Sequence, residues 1–307
     1  MRKKITNRGV ALITAMLITA LASLVAANLA WDNALDVRRT MVQLNSDQAV
    51  QVALGAESWV VSILHQDLQD SETDHLGEIW AIELPGFPIE GGDVNGTIVD
   101  LQGRFNINNL IDENGEVEEK SLERFRRLLE ALEIDPRFAG LAADWIDRNA
   151  DASFPDGAED SIYTGILPPY RSANQSITSA SELAALEGMD RQTFNQLRPH
   201  ITALPGRTNV NVNTATGALL QALDENMSAA DVEGLISERE SAGFGDIQTA
   251  FSSLVAPDVL NTLEEKTSYF QLKVVVRIDT VRVTLYSLLQ RGPQGSVTPI
   301  LRSLGTN

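Results

Sequence analysis

Residues Val10 to Trp31 form a stretch of 22 residues without a single charge, bounded by Arg8 and Gly9 on one side and Asp32 on the other. As a helix rising 1.5 Å per residue it reaches about 33 Å, enough to cross a bilayer core about 30 Å thick. Arg2, Lys3, Lys4 and Arg8 precede it with no acidic neighbour. Positive charge of this kind stays cytoplasmic, which puts everything after Trp31 on the outer side of the membrane. A secretory signal has a shorter apolar stretch and a small-x-small cleavage site at its far end. Here the small residue, Gly9, lies on the charged side. Cleavage after it removes residues 1–9 and keeps the helix.

This arrangement resembles the prepilin class, whose short basic leader and glycine precede a helix that is membrane anchor first and filament core later. By that resemblance a prepilin peptidase cuts between Gly9 and Val10 and methylates the new amine. Counting from Val10, the fifth residue is Thr14, where most pilin-like proteins have Glu paired with a neighbouring subunit's amine. A buried carboxylate without a partner is costly, so a subunit with nothing stacked beyond it does better without one, and Thr14 marks a tip position. The competing reading is a plain signal-anchor with a chance glycine. Apolar periodicity at Val50, Ala53, Leu54, Val60, Val61 and Leu64 extends the helix beyond the bilayer, with Glu57 interrupting the stripe. Residues 10–31 are thus the transmembrane part and 32–68 a stalk.

The turn-rich "SETDHLGE" (71–78) ends the stalk, and strand-like "IWAIEL" and "GTIVDLQGRFNINN" follow. Near the C-terminus, Phe270, Leu272, Val274, Val276 and Ile278 alternate with Lys273 and Arg277, and Val281, Val283 and Leu285 repeat the pattern. That predicts an antiparallel hairpin with one face on the stalk helix. The expected head comprises 69–117 and 266–292, with 293–307 as a flexible tail. Between them, 118–265 is helical and repeats itself: "ALEIDPRFAGLAADWID" (131), "ALEGMDRQTFNQLRPHI" (185) and "ALDENMSAADVEGLISE" (222) each look like a helix-hairpin-helix unit. The predicted class is α+β: a long N-terminal helix packed on an antiparallel, pilin-like sheet, with a large all-α insertion. "NINN" (106–109) and "NVNVNTAT" (209–216) flank parts of that insertion as structural punctuation, with Asn213 or Thr214 as N-cap for "GALLQAL".

A net charge of −18 argues against nucleic acid. Acidic residues crowd all three helical units, and the glycine-rich hairpin that would offer N–H groups to phosphate is hardly represented. A membrane-anchored DNA receptor is therefore the weaker reading beside an interaction module. With no cysteine, thiol and Fe–S chemistry have no donors, and with only His65, His75 and His200, none paired on a helix face, the sequence argues against a zinc or His-based catalytic site. The densest acidic constellation is "DWIDRNADASFPDGAEDSIY" (144–163). Asp147, Asn149 and Asp151 have the D-x-N-x-D spacing that lets side-chain oxygens converge on a hard cation. Ala152 and Ala158 stand where an EF-hand needs Gly and Glu, so it is no EF-hand. Asp156, Glu159 and Asp160 can complete an irregular cage; a solvated loop with helix-capping aspartates explains the same residues. An anchored hydrolase using two of these acids is a further alternative, without a substrate cleft to support it.

The ordered set "DLQGRFNINNL", "DWID", "GAEDSIY", "PPYRSAN", "SASEL" and "VNVNTAT", together with Gly9 and Thr14, resembles the K-type minor pseudopilins of type II secretion systems (the GspK family) over most of the chain. The resemblance implies an inner-membrane precursor, single-pass with its head periplasmic, whose processed form caps and helps initiate a periplasmic pseudopilus. It implies a structural subunit and not an enzyme. Its expected partners are the I- and J-type minor pseudopilins, with the H-type and the major pseudopilin, and the prepilin peptidase. It also implies calcium in the helical domain, for which Asp147, Asn149, Asp151, Asp156, Glu159 and Asp160 are the candidate ligands.

Overall fold

The computed structural model describes residues 8–82 and 86–305. Residues 1–7, with the leader's Arg2, Lys3 and Lys4, lie outside the described residues. The first element, α1 (Arg8–Asp70), is one 63-residue helix, about 95 Å long at 1.5 Å per residue. Every large apolar residue from Val10 to Trp31 is more than half exposed. From Ala49 onward the helix changes role. Ala49, Ala53, Glu57, Val60 and Leu64 are buried at the three-and-four spacing that keeps one face on a sheet.

After α1 a 3-10 turn at Ile79–Ala81 seats Trp80 edge-on to Phe270, ring centroids 5.2 Å apart. The chain enters the sheet with β1 (Phe87–Ile89) and β2 (Gly92–Asp100), then leaves it. The helical domain runs through β3 (Phe105–Asn106), a 3-10 turn at Ile107–Leu110, α2 (Glu119–Ala131), α3 (Phe138–Ile146) and α4 (Asp160–Tyr163). A 3-10 turn at Ala180–Ala185, α5 (Arg191–Leu197), β4 (Ile201–Thr202) and β5 (Val210–Asn211) follow. Last come α6 (Gly217–Gln221), α7 (Ala229–Ala242), α8 (Ile247–Phe251), α9 (Pro257–Leu260) and β6 (Leu263–Glu264). The chain then returns in β7 (Tyr269–Ile278), β8 (Val281–Arg291) and β9 (Val297–Leu304).

The main sheet has the order β1-β2-β7-β8-β9, antiparallel throughout. Its Phe270, Leu272, Val274, Val276 and Ile278 form one core with the lower half of α1, as the alternation predicts. A second core fills the helical domain, with Phe105 stacked on Phe125 (5.0 Å) among Leu128, Leu129, Phe138 and Ile146. Each Ala-Leu-acid repeat marks a place where one helix ends and the next begins: α2 to α3, the 180–185 turn to α5, and α6 to α7.

Four expectations are corrected. The tail 293–307 is not loose: β9 pairs with β8 from Val297 to Leu304, and His65 Nδ1 lies 2.7 Å from the carbonyl of Gly295. Arg302 of that strand donates to Glu57 through Nε (2.9 Å) and Nη2 (2.7 Å), while Ser287 Oγ donates to Glu57 Oε2 (2.5 Å). Glu57, the acid that interrupts the stalk's apolar stripe, is what fastens the tail. The insertion begins before residue 118, because β2 stops at Asp100 and Phe105 to Ile111 already belong to the helical core. "IWAIEL" is no strand where it is described, since Ile79–Ala81 form the 3-10 turn; residues 83 and 84 lie outside the described residues. Thr216, not Asn213 or Thr214, caps α6 by accepting from the Leu219 N–H.

Asn213 and Thr214 are occupied otherwise. The "NINN" and "NVNVNTAT" segments lie side by side and brace the domain junction with buried amides. Asn211 Nδ2 donates to Asp100 Oδ2 (2.8 Å) and Thr214 Oγ1 to the same oxygen (2.5 Å). Asn213 bonds both the N–H (2.5 Å) and the carbonyl (3.1 Å) of Phe244. Asn108 Nδ2 donates to the carbonyls of Ile177 and Leu204, each at 2.9 Å. These amides supplement the two-residue ladders β3–β4 and β5–β6, which are too short to satisfy the segments' backbone groups alone. Gly103 lets them meet, since a Cβ there would lie 2.7 Å from the Thr214 carbonyl oxygen.

Candidate functional site

Two regions carry the sequence-based expectations. At the start of α1, Gly9 and Val10 are exposed, and a Cβ on Gly9 would meet nothing within 4 Å. Thr14 turns its hydroxyl onto its own helix, donating to the carbonyls of Val10 and Ala11, each at 3.0 Å. It therefore asks nothing polar of a neighbour, unlike a carboxylate at that position. The helix is long and apolar enough to cross a membrane.

The acidic region is built on α3, which is buried along all nine residues. Asp144 and Asp147, three apart on one face, are both 0% exposed at its C-terminal end, where the helix dipole already places negative charge. Glu159, 3% exposed, returns beside them after the loop. Asp144 Oδ1, Asp147 Oδ1 and Glu159 Oε1 are enclosed and have no hydrogen-bond partner. Burial, then the charges of Asp144 and Glu159, push the Asp147 carboxyl up to about 7. Burial likewise raises Asp144 and Glu159. Gly157 permits this approach: a Cβ there would lie 2.1 Å from Asp144 Oδ2.

The remaining candidates stand apart. Asn149 Nδ2 donates to Asp147 Oδ2 (2.7 Å), and its Oδ1 accepts from the N–H of Asp151 (2.8 Å). Asp151 itself is exposed and Asp156 half-buried. Asp160 accepts from the N–H (3.1 Å) and hydroxyl (3.2 Å) of Ser172 and pairs with Arg171 at 3.6 Å. The structure brings Asp147 and Glu159 together, adds Asp144, and leaves Asp151 in solvent. Asp144 precedes the D-x-N-x-D pattern, so that spacing does not select it; the i, i+3 spacing in "DWID" is the sequence signal that does. Three buried carboxylates, each with an unpartnered oxygen, raise one another's proton affinity, and neutralisation by a proton or a cation relieves that repulsion.

An open cleft of about 470 Å³ beside α2 is lined by Glu118, Lys120, Arg124, Arg207 and Asp258, and none of the loop's carboxylates reaches it. Its charges are largely spent on each other, with Lys120 2.7 Å from Asp258 and Arg207 3.6 Å from Glu118.

A helix of membrane length, bare over its first half and packed on an antiparallel sheet over its second, defines a pilin-like anchored subunit, here enlarged by a helical insertion. Family models described as Type II secretion system (T2SS), protein K match residues 103–206 and 210–269. The chain is 34% identical to the type II secretion system protein K of Pseudomonas aeruginosa, over 97% of this chain and 93% of that one. It is 30% identical to that of Aeromonas hydrophila, over 97% of each. The chain belongs to the type II secretion system protein K family. Its fold is similar to a chain in the crystal structure of the GspK-GspI-GspJ complex from enterotoxigenic Escherichia coli. The TM-score is 0.77 at 24% identity, covering 88% of this chain and 100% of that one.

Proposed function

We propose that this chain is the minor pseudopilin at the tip of a type II secretion pseudopilus, where it helps to initiate assembly. The observation that carries the reading is the uncovered apolar half of α1, which neither its own sheet nor its helical domain packs against. Such a surface needs lipid first and other subunits' helices later. The basic leader stays cytoplasmic, the head is periplasmic, and cleavage between Gly9 and Val10 frees the helix without excising it. Thr14 leaves no charge waiting for a subunit above, and the broad helical domain blocks one from stacking there. The role is structural rather than enzymatic, with I- and J-type minor pseudopilins as partners.

Asp144, Asp147 and Glu159 hold a calcium ion in this reading. The ion offsets their repulsion and fixes the loop between α3 and α4. Two measurements test the whole. By mass spectrometry the mature protein should begin at Val10 and carry one extra methyl group. The chain should co-purify from membranes with the I- and J-type partners. A chain that still begins at Met1, or one that ignores both partners, refutes the proposal.

A further inference from the structure

A second group of carboxylates sits outside the helical domain, where the stalk meets the sheet. Asp67 on the last turn of α1, Asp74 in the following loop and Glu78 ahead of the 3-10 turn each bring an oxygen to within 4.8 Å of the others. Separate parts of the chain hold them there. Asp74 Oδ2 accepts from the N–H of Thr267 (2.8 Å), and Glu78 Oε2 accepts from the Trp80 indole (2.7 Å) and the His75 N–H (3.0 Å). Arg291, at the end of β8, donates to Asp67 Oδ2 (3.1 Å), to Asp74 Oδ2 and to the Thr267 carbonyl (2.9 Å).

The charges do not balance. Three carboxylates face one guanidinium, and Asp74 is 2% exposed. Asp74 Oδ1 and Glu78 Oε1 are enclosed without a hydrogen-bond partner; His75 Nε2 stands 3.8 Å from the latter, beyond bonding distance. Burial and the neighbouring acids push Asp67 up to about 7, and burial raises Asp74. Arg291 bonds Asp67 Oδ2 and Asp74 Oδ2 and leaves Asp74 Oδ1 and Glu78 Oε1 without a bonded positive charge.

The geometry points to a divalent-cation site of the calcium class formed by Asp67, Asp74 and Glu78, with Arg291 as a fixed counter-charge. All donors are oxygens, and with the three carboxylates ionised opposite Arg291 the net charge of the group matches one divalent ion. Calcium–oxygen distances of about 2.3–2.6 Å allow ligands up to about 5 Å apart across the ion, which accommodates the observed spread. The ion ties the last turn of the stalk to the loop beyond it. Through the N–H of Asp74, which donates to Glu265 (2.8 Å), and Asn211 Nδ2, which donates to the Asp74 carbonyl (3.0 Å), that loop holds the helical domain. The site therefore sets how the head is carried on the stalk, whatever the loop after α3 binds.

The full chain in detergent micelles, stripped of metal, is titrated with Tb³⁺ under tryptophan excitation, and bound Ca²⁺ per chain is counted separately. Trp80 touches this site through Glu78, whereas Trp145 borders the loop after α3. The expected result is a Trp80-sensitised component that Ca²⁺ displaces. Trp80→Phe abolishes that component, and Asp147→Asn leaves it in place. Glu78→Gln weakens it by about 10-fold or more and lowers bound calcium by one ion per chain. Asp67→Asn is read the same way and carries the decision if Glu78→Gln loses helical circular dichroism. An unchanged calcium count and unchanged Trp80-sensitised emission in folded variants overturn the proposal.

Discussion

Replacing Arg302 with Ala tests whether the C-terminal strand is fastened to the stalk by charge. Glu57 is 4% exposed at its side chain and Arg302 50% exposed, so the substitution removes the accessible partner and strands the enclosed one. Burial opposes the ionised form of Glu57, yet the bonds from Arg302 and Ser287 outweigh it and hold the carboxyl below its ordinary value. Breaking a fully buried pair costs about 3–5 kcal/mol. Solvent screening of the half-exposed guanidinium reduces the expected loss to about 2 kcal/mol. For a folded region of this size that lowers the melting temperature by about 4–8 °C. The assay is thermal unfolding of the full chain in micelles, followed by circular dichroism. Because the folded-state value is depressed, the stabilisation is fully present above the ordinary pKa of 4.5 and disappears as pH falls through the depressed value. A second variant supplies the control: adding Glu57→Leu removes the stranded charge, so the double variant melts above Arg302→Ala alone. If Arg302→Ala melts with the unaltered chain, or the double variant melts no higher than the single, the charge-fastening argument is wrong.

In the metal-free chain Asp147 holds its proton up to about pH 7 against an ordinary value of 3.8. Its stabilisation is therefore full below pH 3.8 and lost as pH rises through 7. Chelation should lower the melting temperature most at about pH 8, and Ca²⁺ should restore it; a melt indifferent to chelation removes the loop ion. Gly103→Ala should cost about 1–3 kcal/mol because its Cβ would press on Thr214. Gly234→Ala, inside α7 with nothing within 4 Å, should add about 0.5–1 kcal/mol; calorimetry that ranks them the other way contradicts the packing described. Thr14→Glu should place an unpartnered carboxylate among apolar helices and reduce co-purification with the I- and J-type pseudopilins, and unchanged recovery would remove Thr14 as a tip marker.

The parts of the fold legible in the sequence are those where periodicity and burial coincide. Phe270 to Ile278 alternate because one face of β7 rests on α1, and that pattern needs no partner to be recognised. The tail failed for the opposite reason. Ile300, Leu301 and Leu304 remain substantially exposed because β9 is an edge strand, so "VTPILRSL" never alternates cleanly. Its reason to be ordered lies 245 positions away at Glu57. Hydrophobic patterning scores a buried acid as an error; only the arginine opposite turns it into a contact. The domain border falls earlier by the same logic, since "RFNINN" has strand-like composition but pairs only with β4 of the helical domain, and its asparagine side chains bond loop carbonyls there.

The acidic region shows a different limit. Spacing along the chain ranks Asp147, Asn149 and Asp151 together, because side-chain oxygens two apart converge when the backbone winds as it does in an EF-hand loop. Here the backbone winds otherwise. Asn149 closes on Asp147 and on the N–H of Asp151, which turns Asp151 outward. The partner that meets Asp147 is then one helical turn earlier, at Asp144, which shares its face of α3, and Glu159 arrives from the far end of the loop. What brings Glu159 in is the hydroxyl of Ser172, 2.7 Å from its Oε2, together with Gly157, which has no Cβ to hold the loop away from Asp144. The carboxylates that feel one another's charge are therefore chosen by a helix face and a returning loop, and the enclosed, unpaired oxygens follow from burial at those places rather than from the count of acids in the segment.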